Sequence, residues 1–217
     1  MDLTEALYTT RAMRRVKPDP IPEDAIAAMI DAAIRAPSGS NSQNWRFITV
    51  TDPELRAELG PLYRRAWDTL QNTIYQGRRE AAEAGGDEAV LRVLRSSQWL
   101  ADNFETVPLW VFVLHRNDPT GASVYPAVWN MMLAARGMGI GTCLTTILGL
   151  FEQDAVFDLL GVPTDKGWSI AATVECGYPL GRWGVAKRAP AHDVAYAERW
   201  GDAPAWTAAS PLWEPEA

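Results

Sequence analysis

Three arginines lie close together near the start of the chain, at Arg11, Arg14 and Arg15. They stand out because the chain as a whole is acidic, with a formal charge of −7 at pH 7. A planar guanidinium binds phosphate or carboxylate oxygens through paired hydrogen bonds, so the cluster predicts a bound anion. The alternative is a solvated basic helix end. A second basic pair, Lys187-Arg188, could complete the same anion site, although spacing alone does not bring the two clusters together.

The segment APSGSNSQNW (36–45) is the part of the chain richest in small polar groups. Its hydroxyls, amides and exposed backbone N–H groups suit hydrogen bonding to a heteroaromatic ligand or to a ribityl chain. An ordinary loop between a helix and a strand has the same composition. Composition therefore leaves a ligand-binding loop and a plain connection equally open.

Other kinds of active site find little support. A hydrolase needs a base beside its nucleophile. His115 and His192 are the candidate bases, but the sequence contains no G-x-S-x-G motif to supply a serine nucleophile. The sequence also lacks H-E-x-x-H and C-x-x-C, so no metal site is predicted. The glycine-rich run 137–142 follows a helix and precedes a strand, the reverse of a dinucleotide-binding turn. It indicates helix termination with close packing, or a close backbone approach to a flat ligand.

The overall composition describes a folded protein of 217 residues with 47% hydrophobic and 22% charged residues. These values exclude a disordered chain, and the negative charge argues against a general nucleic-acid binder. No apolar run reaches the roughly 18 residues of a membrane span, and the N-terminus lacks the apolar segment of a secretory signal. We therefore expect a cytoplasmic protein whose two cysteines are free thiols. Ten tryptophans are unusual in so short a chain.

The elements that must position these groups alternate between helix and strand. Apolar spacing predicts a helix from about residue 23 to Pro37, mostly helical structure over 54–104, and helices over 126–139 and 152–161. Strands are predicted at 45–50, 107–115, 140–147 and 167–179. The segment 107–115 is continuously apolar, which is typical of a strand covered on both faces. The prediction is a single α+β domain over 1–217 with a small mixed central sheet flanked by helices.

Five segments carry a common pattern in this order along nearly the whole chain. They are TTRAMRRVKPDPIPEDAI (9–26), AAIRAPSGSNSQNWRFITV (32–50), LADNFETVPLWVFV (100–113), SVYPAVWNMMLAARGMGIGTCLTT (123–146) and GYPLGRWGVAKRAP (177–190). Together they resemble the nitroreductase family of FMN-dependent oxidoreductases. One such motif alone would be weak evidence for a family, whereas five motifs in the same order make the resemblance specific.

This resemblance implies a nitroreductase-like fold and a homodimer with two FMN sites at the subunit interface, each built from both chains. It also implies a C-terminal tail that wraps the partner subunit. The implied reaction is ping-pong: NADH or NADPH reduces FMN, and an electron-poor nitroaromatic, quinone or activated alkene then takes the hydride. The alternatives are a specialised flavin enzyme, such as a reductive dehalogenase or a flavin-fragmenting member, and a non-catalytic flavin-binding protein.

The resemblance also assigns cofactor-binding positions, and because the flavin carries the hydride chemistry it requires no catalytic His, Cys or carboxylate. The arginine-rich opening, which holds the phosphate and the pyrimidine side of the flavin, corresponds to Arg11, Ala12, Met13, Arg14 and Arg15. The loop from the partner chain corresponds to Pro37, Ser38, Gly39, Ser40 and Gln43. The segment beside flavin N5 corresponds to Leu144, Thr145 and Thr146, and the C-terminal basic residue to Arg188, with Lys187 as the second choice.

Three positions depart from the family pattern. Thr10 and Ala12 stand where many members have arginine and serine, so Arg15 is expected to substitute for the missing guanidinium. Trp129 replaces a common glutamine. These changes leave the individual phosphate contacts open.

The region 60–105 is expected to form a variable helical cover over the flavin. Its aromatic residues are candidates for stacking on an aromatic acceptor, and the alternative for each is a place in the hydrophobic core. They are Tyr63, Trp67, Tyr75 and Trp99.

Overall fold

The computed structural model describes residues 1–208 and 211–214. Their contacts divide the chain into two compact units, Ala12–Gly181 and a smaller unit in which Met1–Arg11 packs with described residues from Arg182 onward. The expectation that 1–217 forms one domain stays a prediction.

A four-stranded antiparallel sheet lies at the centre of the larger unit. In spatial order it consists of β1 (Trp45–Val50), β2 (Leu109–His115), β4 (Ser169–Gly177) and β3 (Gly141–Thr145). All three neighbouring pairs are antiparallel, so the prediction of a mixed sheet was wrong. Local sequence does not encode strand direction, and connections built from several helices can return a strand in either sense. A parallel pairing does occur as an isolated bridge between Ala12 and Thr142.

Helices cover both faces of this sheet, and the α+β class is confirmed. They are α2 (Glu23–Ala33), α3 (Pro53–Asn72), α4 (Gln76–Gly85), α5 (Glu88–Asp102), α6 (Val124–Gly137), α7 (Ile147–Phe151) and α8 (Gln153–Leu160). Asp52 caps α3 by accepting hydrogen bonds from the backbone N–H groups of Glu54 and Leu55. Gly86 ends α4 in the left-handed conformation, which glycine adopts without steric cost.

Two apolar clusters pack against the opposite faces of the sheet. The first contains Trp110 and Phe112 of β2 with residues of α3, and the second contains Leu109 and Val111 of β2 with Met131 of α6. Because β2 contributes alternate side chains to both clusters, it is buried on both faces, as its continuous apolar sequence predicted.

The smaller unit contains helix α1 (Leu3–Thr9), which was not predicted from the sequence. Asp2 caps this helix by accepting a hydrogen bond from the backbone N–H of Glu5. The backbone N–H of Ala186 donates to the carbonyl of Tyr8, and the Tyr8 ring lies 5.6 Å from that of Trp213. Among the described residues, no helix is both long and apolar enough to cross a membrane.

Candidate functional site

The segment that carries Arg14 and Arg15 is held against the edge of the sheet by backbone hydrogen bonds. The N–H of Met13 donates to the carbonyl of Thr142 at the start of β3 (3.0 Å), and the N–H of Leu180 donates to the carbonyl of Arg15 (2.9 Å). The segment therefore passes between β3 and the chain that follows β4. Arg14, half-buried, is thereby positioned over the β3–β4 ladder, where it interacts with buried groups of both strands.

Two glycines make this close passage possible. A Cβ atom at Gly141 would lie 2.9 Å from the Cβ of Met13, and one at Gly177 would lie 2.6 Å from the Cβ of Val16. Both distances are too short for two side chains. The glycine-rich run therefore serves close packing of the arginine segment, one of the two interpretations that the sequence left open.

A cavity of about 360 Å³ opens beside Arg14, within the range typical of small-molecule sites. Seven of the predicted site residues line it: Arg14, Tyr63, Trp67, Tyr75, Leu144, Thr145 and Thr146. They come from four separate places, namely the arginine segment, α3, the turn after α3, and the end of β3. The tertiary structure thus brings the predicted phosphate-side, N5-side and aromatic groups together.

Buried polar side chains lie behind one wall of this cavity. Glu175 of β4 pairs in register with Cys143 of β3, and Arg14 interacts electrostatically with both. Burial, followed by the nearby Glu175, raises the pKa of the Cys143 thiol to about 12. Burial likewise raises the pKa of the Glu175 carboxyl well above its ordinary value, although the Arg14 guanidinium acts in the opposite direction. Desolvation also raises the pKa of the Tyr63 phenol.

Polar hydroxyls lie at the end of β3 and behind it. Thr145 lines the cavity, and its buried hydroxyl interacts with the neighbouring Tyr63 phenol. The hydroxyl of its register partner, Thr173, is buried without a hydrogen-bond partner in the protein, which suits it to ordered water. Thr146 follows as the residue before α7.

Three of the four predicted aromatic residues line the cavity, and the fourth does not. Tyr63 and Trp67 are also core residues, so the core interpretation applies to both rings, and their stacking on an acceptor stays a prediction. The Trp67 indole donates to the Gln98 side chain at 2.7 Å, and its ring lies 6.3 Å from that of Tyr75. Trp99 instead lies beneath Arg15, whose guanidinium carbon is 5.4 Å from the centroid of the Trp99 ring. Arg15 thus packs on an aromatic ring, and its expected substitution for the missing arginine stays a prediction.

The loop at 37–43 has a strained backbone of the kind often found at ligand sites. Three of its residues, Ser40, Asn41 and Gln43, have φ values of 53°, 52° and 48°, a region that non-glycine residues rarely adopt. Two side chains hold this conformation. The Ser38 hydroxyl accepts a hydrogen bond from the backbone N–H of Gln43, and the Ser123 hydroxyl accepts one from the backbone N–H of Gly39. Neither Pro37 nor the rest of this loop lines the cavity of its own chain.

Arg11 and Arg188 belong to the smaller unit, and both are exposed. Arg11 donates to the carbonyl of Arg182 at 2.7 Å, and Arg188 donates to the carbonyl of Lys187 at 3.0 Å. Their assignment to the flavin phosphate stays a prediction.

Two groups at the site were not predicted, Cys143 and Glu175. The sequence signal was present, because Glu175 is the charged residue inside the apolar run SIAATVECG of β4. Strand alternation shows that such a residue lies on one face of a sheet, but not whether that face is buried. Within the described residues, no group of three or more His, Cys, Asp or Glu side chains could hold a metal ion.

Comparison with known proteins agrees with this geometry. The sequence profile of the nitroreductase family matches residues 7–178. The chain belongs to the nitroreductase family. It is 30% identical over 191 residues to the 5,6-dimethylbenzimidazole synthase of Rhodobacter capsulatus, covering 82% of this chain and 83% of that enzyme. It is 26% identical over 216 residues to an NADH dehydrogenase of Thermus thermophilus, covering 89% and 95% of the two chains.

The fold is also shared with solved structures. An oxidised iodotyrosine deiodinase bound to FMN and 3-iodo-L-tyrosine superposes with a TM-score of 0.70 at 21% identity, covering 87% of this chain and 95% of that one. The nitroreductase-like fold is therefore confirmed. At this level of identity the likeness concerns the fold.

The residues present at the cavity fit an FMN group. Arg14 would offer a cation to the pyrimidine edge, and the buried Thr145 hydroxyl would offer a polar group to the N5 edge. Tyr63 and Trp67 form an aromatic wall beside them. This donor set matches the chemistry of a flat, polar-edged heteroaromatic ring.

Proposed function

We propose that this member of the nitroreductase family is an FMN-dependent oxidoreductase that moves hydride from NADH or NADPH to an electron-poor acceptor. The acceptor class is a nitroaromatic compound, a quinone or an activated alkene. The observation that carries the proposal is the cavity in which Arg14, Thr145 and Tyr63 meet. The relative that is named an NADH dehydrogenase supports a nicotinamide reductant.

The bound flavin would supply the hydride chemistry, and the protein would supply orientation and electrostatics. Arg14 places a positive charge where the reduced flavin gains negative charge, which favours the reduced state. The hydroxyls of Thr145 and Thr146 orient the reactive edge of the ring. The aromatic wall formed by Tyr63 and Trp67 excludes water from one side of the cavity.

The proposal includes a homodimer with shared sites, in which the loop at 37–43 reaches the flavin of the partner. This accounts for a strained and conformationally fixed loop that does not line the cavity of its own chain. The helical cover formed by α3, α4 and α5, the wrapping C-terminal tail and the cytoplasmic location belong to the same proposal.

The first test is a visible spectrum of the purified protein before and after anaerobic addition of NADH or NADPH. We expect flavin absorbance that bleaches on addition of the reductant and returns when menadione or a nitroaromatic compound is added. Protein that neither contains flavin nor takes it up from excess FMN would contradict the proposal. Bound flavin that neither nucleotide reduces would contradict the proposed reaction and leave a non-catalytic flavin-binding protein or an enzyme that takes flavin already reduced.

Shared sites can be tested by mixing two variants, Arg14→Gln and a loop variant, Gly39→Trp, at an FMN concentration at which neither variant alone is active. If each site takes Arg14 from one chain and the loop from the other, one of the two sites in every heterodimer is intact. We therefore expect activity to return after the subunits exchange. If each site is built from a single chain, the mixture stays inactive although heterodimers form.

A second candidate function is the formation of 5,6-dimethylbenzimidazole, for which the Rhodobacter capsulatus relative is named. The test is aerobic incubation with reduced FMN in excess over protein, followed by mass analysis of the products. Flavin consumption with release of dimethylbenzimidazole would favour this function over acceptor reduction.

A further inference from the structure

Two arginines and a tryptophan meet at one end of the central sheet. Arg46 is the second residue of β1, Arg116 follows the last residue of β2, and Trp168 precedes the first residue of β4. These three strands are neighbours, and the backbone N–H of Arg116 donates to the carbonyl of Asn44, which extends the β1–β2 ladder. Arg46 pairs with Leu114, two residues before Arg116, so both arginines lie on the same face of the sheet.

The Trp168 ring packs against both guanidinium groups. The guanidinium carbon of Arg46 lies 5.2 Å from the centroid of the ring, and that of Arg116 lies 4.9 Å from it. A positive charge over an indole face is attracted by the ring, so the half-buried Trp168 holds the two cations near each other. The two charges repel each other, and an uncharged ring neutralises neither of them.

Within residues 1–208 and 211–214, neither guanidinium forms an ion pair with a carboxylate, although the chain as a whole is acidic. The acidic residues that follow β2 and precede β4 are engaged elsewhere. The Asp118 carboxylate accepts hydrogen bonds from two backbone N–H groups at the N-terminus of α6. Asp165 pairs with Lys166. This end of the sheet therefore carries two positive charges that no described residue neutralises.

The same pair of arginines has unused hydrogen-bonding capacity. The Nε atom of Arg116 is buried and has no hydrogen-bond partner in the protein. Arg46, which is exposed, donates from one terminal nitrogen to the carbonyl of Trp45 at 2.6 Å. A guanidinium carries several N–H donors, and a buried donor without an acceptor is costly. The arrangement therefore calls for an acceptor that the described chain does not supply.

We propose that Arg46, Arg116 and Trp168 form a binding site for a phosphate group, either free or carried by a small organic molecule. A phosphate ester has a charge of about −1.5 to −2 at pH 7 and three acceptor oxygens, which suits two guanidinium groups better than a singly charged carboxylate does. Trp168 is a positioning residue that orients the two guanidinium groups. None of the three residues lines the flavin cavity, so this site goes beyond the proposed function and does not depend on it.

The experiment is isothermal titration at low ionic strength of purified protein, freed of unbound FMN, with inorganic phosphate and separately with phenyl phosphate. The loss of a charge-assisted hydrogen bond weakens an affinity by about tenfold or more, and we expect this loss in Arg116→Gln. Arg46→Gln should lose less, because Arg46 is exposed. Phosphate bound at the flavin cavity would not respond to either substitution, since neither arginine lines that cavity.

The matched control is Arg95→Gln, which removes an exposed arginine that pairs with Glu88 on α5. It should bind phosphate within about twofold of the wild type, since an exposed ion pair contributes little. Tighter binding of phenyl phosphate than of inorganic phosphate would identify the ligand as an organic phosphate, and the reverse order would identify the free anion. Either order supports a phosphate site.

The positioning role of Trp168 has its own pair of variants. Trp168→Phe keeps an aromatic face for the two guanidinium groups and should retain most of the phosphate affinity. Trp168→Leu removes that face and should weaken phosphate binding. Equal affinities in the two variants would overturn the positioning role.

Wild-type affinity for phosphate in both Arg46→Gln and Arg116→Gln would overturn the proposal. Acetate that binds as tightly as phosphate would overturn the assignment to phosphate. An oligomer that dissociates in Arg116→Gln, measured by light scattering, would also overturn the proposal, because the guanidinium groups would then serve a contact between subunits.

Should Arg116→Gln fail to fold, modification of the wild type by phenylglyoxal decides, with the modified arginines mapped by mass spectrometry. Phosphate that protects Arg46 and Arg116 but not Arg95 supports the site. Equal modification of Arg46 and Arg116 with and without phosphate overturns it.

Discussion

Replacing Arg14 with glutamine removes the positive charge at the cavity while keeping a polar side chain that can hydrogen-bond. Arg14 is half-buried and lines the cavity together with Tyr63 and Thr145. In the proposed complex its guanidinium makes a charge-assisted hydrogen bond to the flavin. The substitution therefore tests the charge at this position rather than the packing of the segment.

The expected loss follows from the strength of such a bond. A hydrogen bond to a charged group contributes about 1.5–3 kcal/mol, and each 1.4 kcal/mol corresponds to a factor of ten in affinity. FMN should therefore bind about 12- to 140-fold more weakly to Arg14→Gln than to the wild type. The folded structure should be little affected, because backbone hydrogen bonds from neighbouring residues hold the segment in place.

The assay is titration of the apoprotein with FMN, followed by quenching of flavin fluorescence, with thermal unfolding measured in parallel. The matched control is Arg35→Gln, which removes the same charge from an exposed arginine paired with Asp31 on α2. We expect the control to bind FMN within about twofold of the wild type, since an exposed ion pair contributes little.

Unchanged FMN affinity in Arg14→Gln would refute the reasoning, because the cavity would then bind the flavin without its cation. If Arg15→Gln weakened binding instead, the flavin would lie on the side of the segment where Arg15 covers Trp99. A large loss of stability in Arg14→Gln would show that the guanidinium is structural.

Three further predictions concern the described core. Gly149→Ala should destabilise the fold by about 1–3 kcal/mol in denaturant unfolding, because the new Cβ would lie 2.5 Å from the carbonyl oxygen of Ile170. The control Gly77→Ala, in an open position on α4, should be neutral or stabilising by up to about 1 kcal/mol. The Cys143 thiol should resist alkylation in the native protein at pH 8 and react at the normal rate after denaturation, since burial raises its pKa to about 12; rapid native labelling would contradict this. The apoprotein should lose stability relative to Glu175→Gln as pH rises above about 4.5, by at most about 1.4 kcal/mol per pH unit. The reason is that the folded state keeps a proton on Glu175 that the unfolded state releases. The same pH dependence of unfolding in both proteins would contradict this prediction.

Much of the site could be predicted from the sequence because its parts are local motifs. Arg14 and the residues 144–146, which line the cavity, each lie in a short stretch, and the family pattern gives their order; the polar loop stays a prediction. Glu175 and Cys143 escaped prediction because their burial and their approach to Arg14 depend on the pairing of β3 with β4. Trp99 was assigned to the acceptor pocket from its residue type, whereas its helix places it under Arg15.

The sequence by itself determined the elements whose signals are short-range. Strand β1 begins and ends at the predicted residues, β2 has the predicted burial on both faces, and the stretch 53–102 is mostly helical. Only the tertiary structure decided the antiparallel direction of all three strand pairs and the meeting of four separate segments at one cavity. The physical reason is range: propensity, capping and periodicity act over a few residues, whereas strand direction and the desolvation of Glu175 follow from packing between parts of the chain far apart in sequence.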